Sequence, residues 1–353
     1  MKITSRVMVA GAVLFTLGFI PALSVVQERP PGTEHDGPAF TFNKIAEGVY
    51  HAVGTGSMSV GANSTIIINQ DEVMLVDNHA SPAAATVLLD ELKAITDKLV
   101  KYVVDTHYHF DHAHGAQIFG PDVTIIGTEF TRRALLAGDS KGGKTWPRFV
   151  GTIPQQVVTL VAQLDTAKAP ENRAALQRRL KIQEQYKLAT DVIRPTAPTV
   201  TLNDRITLFR GGREIDIRFI GRAHTGGDVV VFLPREKVLI GGDLVSTNPS
   251  NLGDAYAGDW LQTLENMKKL DWDILLPGHG QPIREKERLD HWADYLRDFW
   301  AQVQELKKQG VSVDDAARRI DMRKQAAHYP NITAVGVDRD AVLGAYEVLD
   351  GAR

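Results

Sequence analysis

Thr106-His107-Tyr108-His109-Phe110-Asp111-His112 places four side chains that can bind a metal within six residues, directly after the apolar run Val100 to Asp105. That run reads as a short buried strand. In an extended segment side chains alternate, so His107 and His109 point the same way and Tyr108 points away, into packing. A turn into a helix then carries Asp111 and His112 round to a second position nearby. One segment thus offers two ligands to each of two ions. The chain has no cysteine, so His, Asp and Glu are the ligand types left for a zinc-like ion.

Further ligands are expected at other strand ends, and three stand out. His224 lies in Gly221-Arg222-Ala223-His224-Thr225-Gly226-Gly227-Asp228. Asp243 closes Leu239-Ile240-Gly241-Gly242-Asp243, and His279 sits in Leu276-Pro277-Gly278-His279-Gly280. Each follows a strand-like run, where α/β sheets build binding loops. The glycines allow sharp turns and close backbone approach. A single histidine at a strand end is usually structural. A dense cluster joined by three glycine-flanked loops reads instead as a metal centre.

The motif His-x-His-x-Asp-His, followed in order by a His, an Asp and a last His, resembles the metallo-β-lactamase superfamily over residues 40 to 285. The resemblance implies an αββα four-layer sandwich and two zinc ions, with iron or manganese as alternative occupants. It implies His107, His109 and His224 on one ion, Asp111, His112 and His279 on the other, and Asp243 bridging them. Asp77, in Leu75-Val76-Asp77, matches the superfamily's early aspartate and would orient the metal loop by hydrogen bonds. The implied chemistry is attack by a metal-bridging hydroxide, with Asp111 orienting it and shuttling its proton. The expected substrate is a small ester, lactone, thioester or β-lactam, and the residues that bind it are not legible.

Two alternatives stay within the fold. One is a mononuclear iron dioxygenase acting on persulfides, which would use only His107, His224 and Asp243. Oxygen-reducing members carry a Glu where this chain has His109, so that branch is disfavoured. The other is a β-lactamase of the all-histidine type. Lactamases with a cysteine ligand are excluded by composition. Asp243 itself resembles the glyoxalase II, lactonase and phosphodiesterase branches.

Around this frame the chain of 353 residues divides into segments. Lys2 and Arg6 precede an apolar run, Val7 to Ile20, too short for a comfortable span. Pro21 breaks it, and Ala22-Leu23-Ser24 suits signal cleavage, so residues 1–24 read as a signal peptide and the protein as exported. An uncleaved anchor is the competing reading; after cleavage no stable span is expected. Residues 25–38 read as a Pro/Gly-rich linker, 39–285 as the catalytic domain, and 286–353 as a helical C-terminal extension. Within the domain, Ser81 to Leu99 has helical spacing started by Ser81-Pro82. Residues around Gly142-Gly143, Trp146 and Pro147 read as a loop. About 154–192 interrupts the strands as a helical insertion, with Leu176 to Tyr186 an amphipathic helix.

Net charge is -3, and no basic stripe invites nucleic acid. A small-molecule substrate is the expected partner. His114 is expected to pack or support the motif, His79 to reach the cleft rim or not, and His35, His51, His291 and His328 to be structural or exposed. Trp146 and Phe149 read as packing of the insertion rather than a substrate flap. The stripe Leu289, Trp292, Leu296, Trp300, Val303, Leu306 reads as core.

Overall fold

The computed structural model describes residues 28–353. Residues 1–24, expected to be a signal peptide, and the start of the expected linker lie outside the described residues. Among the described residues no helix is long and apolar enough to cross a membrane.

Two sheets carry the fold. The first holds seven strands in chain order: β1 (Phe40–Ala46), β2 (Val49–Gly54), β3 (Ser64–Ile68), β4 (Val73–Val76), β5 (Val100–Val104), β6 (Thr124–Thr128) and β7 (Val200–Leu202). β1 to β4 form an antiparallel meander, and β4 to β7 pair in parallel. The second comprises β8 (Arg205–Arg210), β9 (Arg213–Phe219), β10 (Val229–Leu233), β11 (Val238–Gly242) and β12 (Ile274–Pro277), ordered β12-β11-β10-β9-β8. Only β11 and β12 in it are parallel.

Strand alternation builds the layers. Ile67, Met74, Val76, Val104 and Ile126 face inward and meet Ile217, Val229, Val231, Ile240 and Leu276 of the second sheet. Their neighbours Ile66, Leu75, Val103 and Ile125 face outward onto α1 (Pro82–Leu92). On the far side, Val230, Phe232, Leu239 and Leu275 pack against α8 (Ala257–Lys268) and α9 (Glu287–Lys308). Strands buried on both faces read as near-continuous apolar runs, as these do. The αββα sandwich is therefore present, with the helical C-terminal extension joined to its outer core.

The remaining helices, in chain order, are α2 (Phe110–Ala113), α3 (Glu129–Ala137), α4 (Asp139–Gly142), α5 (Thr145–Phe149), α6 (Ile153–Thr166), α7 (Pro170–Asp191), α10 (Val313–Arg319) and α11 (Arg339–Leu349). Ser81 caps α1 by accepting from Ala84 N, and Ser312 caps α10 by accepting from Asp315 N. These are the side-chain caps that shield otherwise free backbone donors. The stripe on α9 is core: Leu289, Leu296 and Val303 are fully buried.

Two expectations are corrected. α1 stops at Leu92 rather than Leu99, because Lys93 to Ile95 fold into turns that swing the chain into β5. The stretch around Trp146 forms two short helices, α4 and α5, rather than a loop. The expected helical insertion is present as α6 and α7, with the helix expected over Leu176 to Tyr186 extended at both ends. Only Ile153 and Leu160 of α6 are buried, so its apolar face is too narrow to stand out in the sequence. Residues 28–38 pack onto the domain: Arg29 pairs with Asp90 at 3.1 Å and Lys181 with Asp36 at 2.7 Å.

Ile67 is fully enclosed between the sheets. Ile67→Ala is expected to lower stability by about 2–5 kcal/mol in urea denaturation, the usual cost of such a cavity. A loss within the scatter of surface substitutions would mean that the sheets do not depend on this layer.

Candidate metal centre

Loops at one end of the two sheets converge. The segment after β5 runs extended to His109 and then turns into α2, where His112 N and Ala113 N donate to His109 O, each at 3.1 Å. This turn brings Asp111 and His112 beside one another, as the spacing predicts. His224 arrives between β9 and β10, Asp243 directly after β11, and His279 after β12.

Two groups form. His109 Nδ1 lies 3.1 Å from His107 Nε2 and 3.0 Å from His224 Nε2. His279 Nε2 lies 3.1 Å from Asp111 Oδ2, and His112 Nε2 lies 3.6 Å from the same oxygen. Asp243 touches both groups: its Oδ2 is 3.5 Å from His224 Nε2 and 3.3 Å from His279 Nε2, while Oδ1 is 3.3 Å from His112 Nε2. His107, His109, His112 and His224 are buried, and His279 sits half-exposed at the cleft. All seven residues singled out in the sequence therefore meet in one place. Gly278 permits the approach, since a Cβ there would overlap Asp243 Oδ1 and lie 2.6 Å from His112 Cε1. Gly242, at φ 51°, makes the turn before Asp243 beside Thr106.

The imidazoles are oriented from behind. Asp77, itself at φ 62°, accepts from Thr106 N at 2.9 Å and Thr106 Oγ1 at 3.0 Å, and its Oδ2 is 2.8 Å from His112 Nδ1. This is the anchoring expected of Asp77. Asp254 does the same for His109, with Oδ2 3.1 Å from Nε2. No sequence pattern marks Asp254; it comes from the irregular segment between β11 and α8 and only the fold brings it here. Asp228 braces the His224 loop, accepting from Thr225 N at 2.7 Å and Thr225 Oγ1 at 3.0 Å.

The charges of the metal-free cluster split in two. Burial, reinforced by the neighbouring imidazoles, holds His107 well below its usual pKa, and burial likewise takes His224 down to about 3. Burial would lower His279 as well, but Asp243 and the hydrogen bond to Asp111 outweigh it and lift its pKa to about 10. His112 is raised well above its usual value against the same burial by the Asp243, Asp111 and Asp77 carboxylates. Asp111 and Asp243 are in turn held ionised; burial opposes this, and His112 and His279 overcome it.

The donor set fits divalent cations. One ligand atom from each of His107, His109 and His224 lies within 4.8 Å of the others, and the same holds for Asp111, His112 and His279 and for His107, His112 and Asp243. His112 Nε2 and Asp243 Oδ1 are buried, adjacent and without a hydrogen bond of acceptable geometry. Nitrogen and oxygen donors without cysteine suit zinc and also iron or manganese.

Above the cluster lies a cleft of about 490 Å³, lined by Phe110, Thr145, Phe149, Tyr186 and the segment Ser246 to Asn251. Phe149, expected to be packing, is half-exposed on this wall. Trp146 does pack, edge-on to Phe110 at 5.6 Å. His114 is buried with Nε2 2.9 Å from Ser140 Oγ, and His79 is buried with Nδ1 2.9 Å from Ala62 O, so neither reaches the rim. His51 is buried behind the site, near Pro277 O. His291 and His328 stack on each other far from it, at 3.6 Å. A larger cavity of about 1150 Å³ runs along the end of α1 and residues 191–194, and none of the clustered residues lines it.

Residues 58–279 match the model of the metallo-beta-lactamase superfamily. A linear primary-alkylsulfatase from a Pseudomonas species is 22% identical over 271 residues, covering 73% of this chain and 49% of that protein. The chain thus spans about half the length of that relative. A type 2 metallo-beta-lactamase of Elizabethkingia meningoseptica is 21% identical over 67% of this chain and 76% of its own. A probable metallo-hydrolase of Bacillus subtilis is 25% identical over 65% of this chain and 71% of its own. Among solved structures, a metallo-beta-lactamase from Pontibacter korlensis superposes with a TM-score of 0.52 at 21% identity, covering 73% of this chain and 99% of that one. A match over more than half the chain, with the histidine and aspartate cluster assembled at the sheet ends, makes this chain a member of the metallo-β-lactamase superfamily of hydrolases.

Proposed function

We propose that the protein is a dinuclear zinc hydrolase that cleaves a small ester, lactone, thioester or β-lactam, working outside the cytoplasm if its leader is cut as its sequence reads. The observation that carries this reading is Asp243, whose two oxygens reach both ligand groups. His107, His109 and His224 would hold one ion, Asp111, His112 and His279 the other, with Asp243 between them. When bound, such ions supply Lewis acidity and acidify water towards neutral pH.

The chain's own residues do the rest. Asp111, held ionised at the cleft floor, can accept a proton at its carboxylate and return it to the leaving group. Asp77 and Asp254 fix which nitrogen of His112 and His109 faces the cluster, Nε2 and Nδ1 respectively. Such supporting carboxylates set ligand orientation and basicity. A mononuclear iron site on His107, His224 and Asp243 would leave Asp111, His112 and His279 assembled around the same pocket with no part in the chemistry. A β-lactam stays within the proposed substrate range, since relatives of that name align with this chain.

The reading is tested by a hydrolysis screen of the zinc-loaded protein on an aryl ester, a lactone, a β-lactam and a phosphodiester. Turnover that chelation abolishes and zinc restores is expected. Hydrolysis restored by iron instead of zinc would change the metal and keep the hydrolase, whereas one iron per chain with no hydrolysis under either metal would replace the reading with the oxygenase. Asp111→Ala is expected to reduce turnover by about 10²–10⁴-fold, as for loss of a proton-transfer group, with circular dichroism unchanged. Wild-type turnover in the metallated variant would remove Asp111 from the mechanism. Asp254→Asn should weaken zinc binding by about 10–100-fold in competition with a chelator; unchanged affinity would make Asp254 a bystander.

The raised His112 and His279 are protonated at neutral pH in the metal-free protein, so zinc uptake must expel those protons. Zinc titration in weak buffer at pH 7 should acidify the solution, and affinity should fall as pH falls. Uptake without proton release would contradict this charge assignment.

A further inference from the structure

The cleft has two unlike walls. One is aromatic: Phe110 from the metal loop, Phe149 from α5 and Tyr186 from α7. The other is the segment Ser246 to Asn251, which offers hydroxyls and amides. No lysine or arginine among the described residues lines the cleft. The basic side chains nearest in sequence to Phe149 are engaged elsewhere: Arg148 pairs with Asp338, and Lys144 with Glu347 at 2.8 Å.

Tyr186 belongs to a helix whose exposed faces are mostly charged and polar. Its ring nevertheless packs against the cluster of Phe110, Val150 and Ile153. Its hydroxyl makes no hydrogen bond to any described residue. A phenol is neutral at physiological pH and can donate, and this one is half-buried on the cleft wall, where water or a ligand can satisfy it. The aromatic ring beside it offers area and the hydroxyl offers direction, the usual composition of a small-molecule pocket.

We propose that α5 and α7 form the acyl-recognition wall of the cleft, with the Tyr186 hydroxyl donating a hydrogen bond to a carbonyl oxygen of an uncharged substrate whose apolar part lies on Phe149. This rests on the hydrolase reading. It also gives the insertion a part at the site, since α7 brings the Tyr186 hydroxyl to the aromatic wall. A substrate with an anionic handle would find no cationic side chain on these walls.

Two readouts test it in the zinc-loaded protein: turnover of 2-naphthyl acetate, and equilibrium binding of the unreactive N-(2-naphthyl)acetamide by its fluorescence. Tyr186→Phe keeps the ring, so thermal midpoint and zinc content should not change. It should weaken binding of the amide by about three- to tenfold, the range for one lost hydrogen bond, and raise KM for the ester more than it lowers kcat. Phe149→Ala should weaken amide binding as well. Native protein that does not bind the amide, or a Tyr186→Phe variant that binds it as tightly as native, would overturn the proposal. Amide binding that depends on Tyr186, without turnover of any ester, lactone, thioester or β-lactam, would keep this wall and sink the hydrolase reading instead.

Discussion

Two carboxylates and several imidazoles crowd together at the floor of the cleft, most of them buried. Buried groups of this kind can coexist in two ways: by exchanging protons until charges pair, or by enclosing a cation. Asp111 and Asp243 against His112 and His279 show the first state in the metal-free chain. The geometry suits the second, because His112 Nε2 and Asp243 Oδ1 face each other without forming a proper hydrogen bond. The surrounding sheets and loops keep these groups together. The core between the sheets fixes the relative position of β5, β11 and β12, and those strands aim the three loops. Asp77, at a strained backbone angle, ties the end of β4 to Thr106 and His112.

The cluster bears on the class of chemistry more directly than on the substrate. On the proposed function, substrate choice belongs to what surrounds it, including the helical insertion between β6 and β7. None of the seven clustered residues comes from that insertion. Tyr186 lines the cleft directly, and Ile153 and Tyr186 pack on Phe110, which sits between two of the clustered residues. On the proposed function, a change in the insertion would alter recognition without displacing the clustered side chains.

The order of strands and the ligand loops are legible in the sequence because their signals are local. Periodic apolar runs mark β4, β5, β10 and β11, and glycine beside His or Asp marks the turns after them. The seven candidate ligand residues are readable from spacing and type, and the fold follows from the family they resemble. Asp254 is not readable. It follows Asp243 by a segment of irregular structure, and only its approach to His109 gives it meaning. Tyr186 is hidden for a related reason: α7 is polar overall, and a single inward ring leaves no period to detect. Phe149 reads as packing in the sequence yet lines the cleft, since an apolar residue near glycines can lie in a core or on a cleft wall. Helix ends depart from the sequence pattern where tertiary demands intervene, as at Leu92, where the chain must turn early to enter β5.

The central claim is that the pocket holds two ions joined at Asp243. Native mass spectrometry of the zinc-reconstituted protein tests it most directly, beside a His112→Ala variant. The account predicts two zinc ions per chain, falling to one in the variant. One iron ion per chain, with the second position unfilled at saturating zinc and no change on replacing His112, would contradict it.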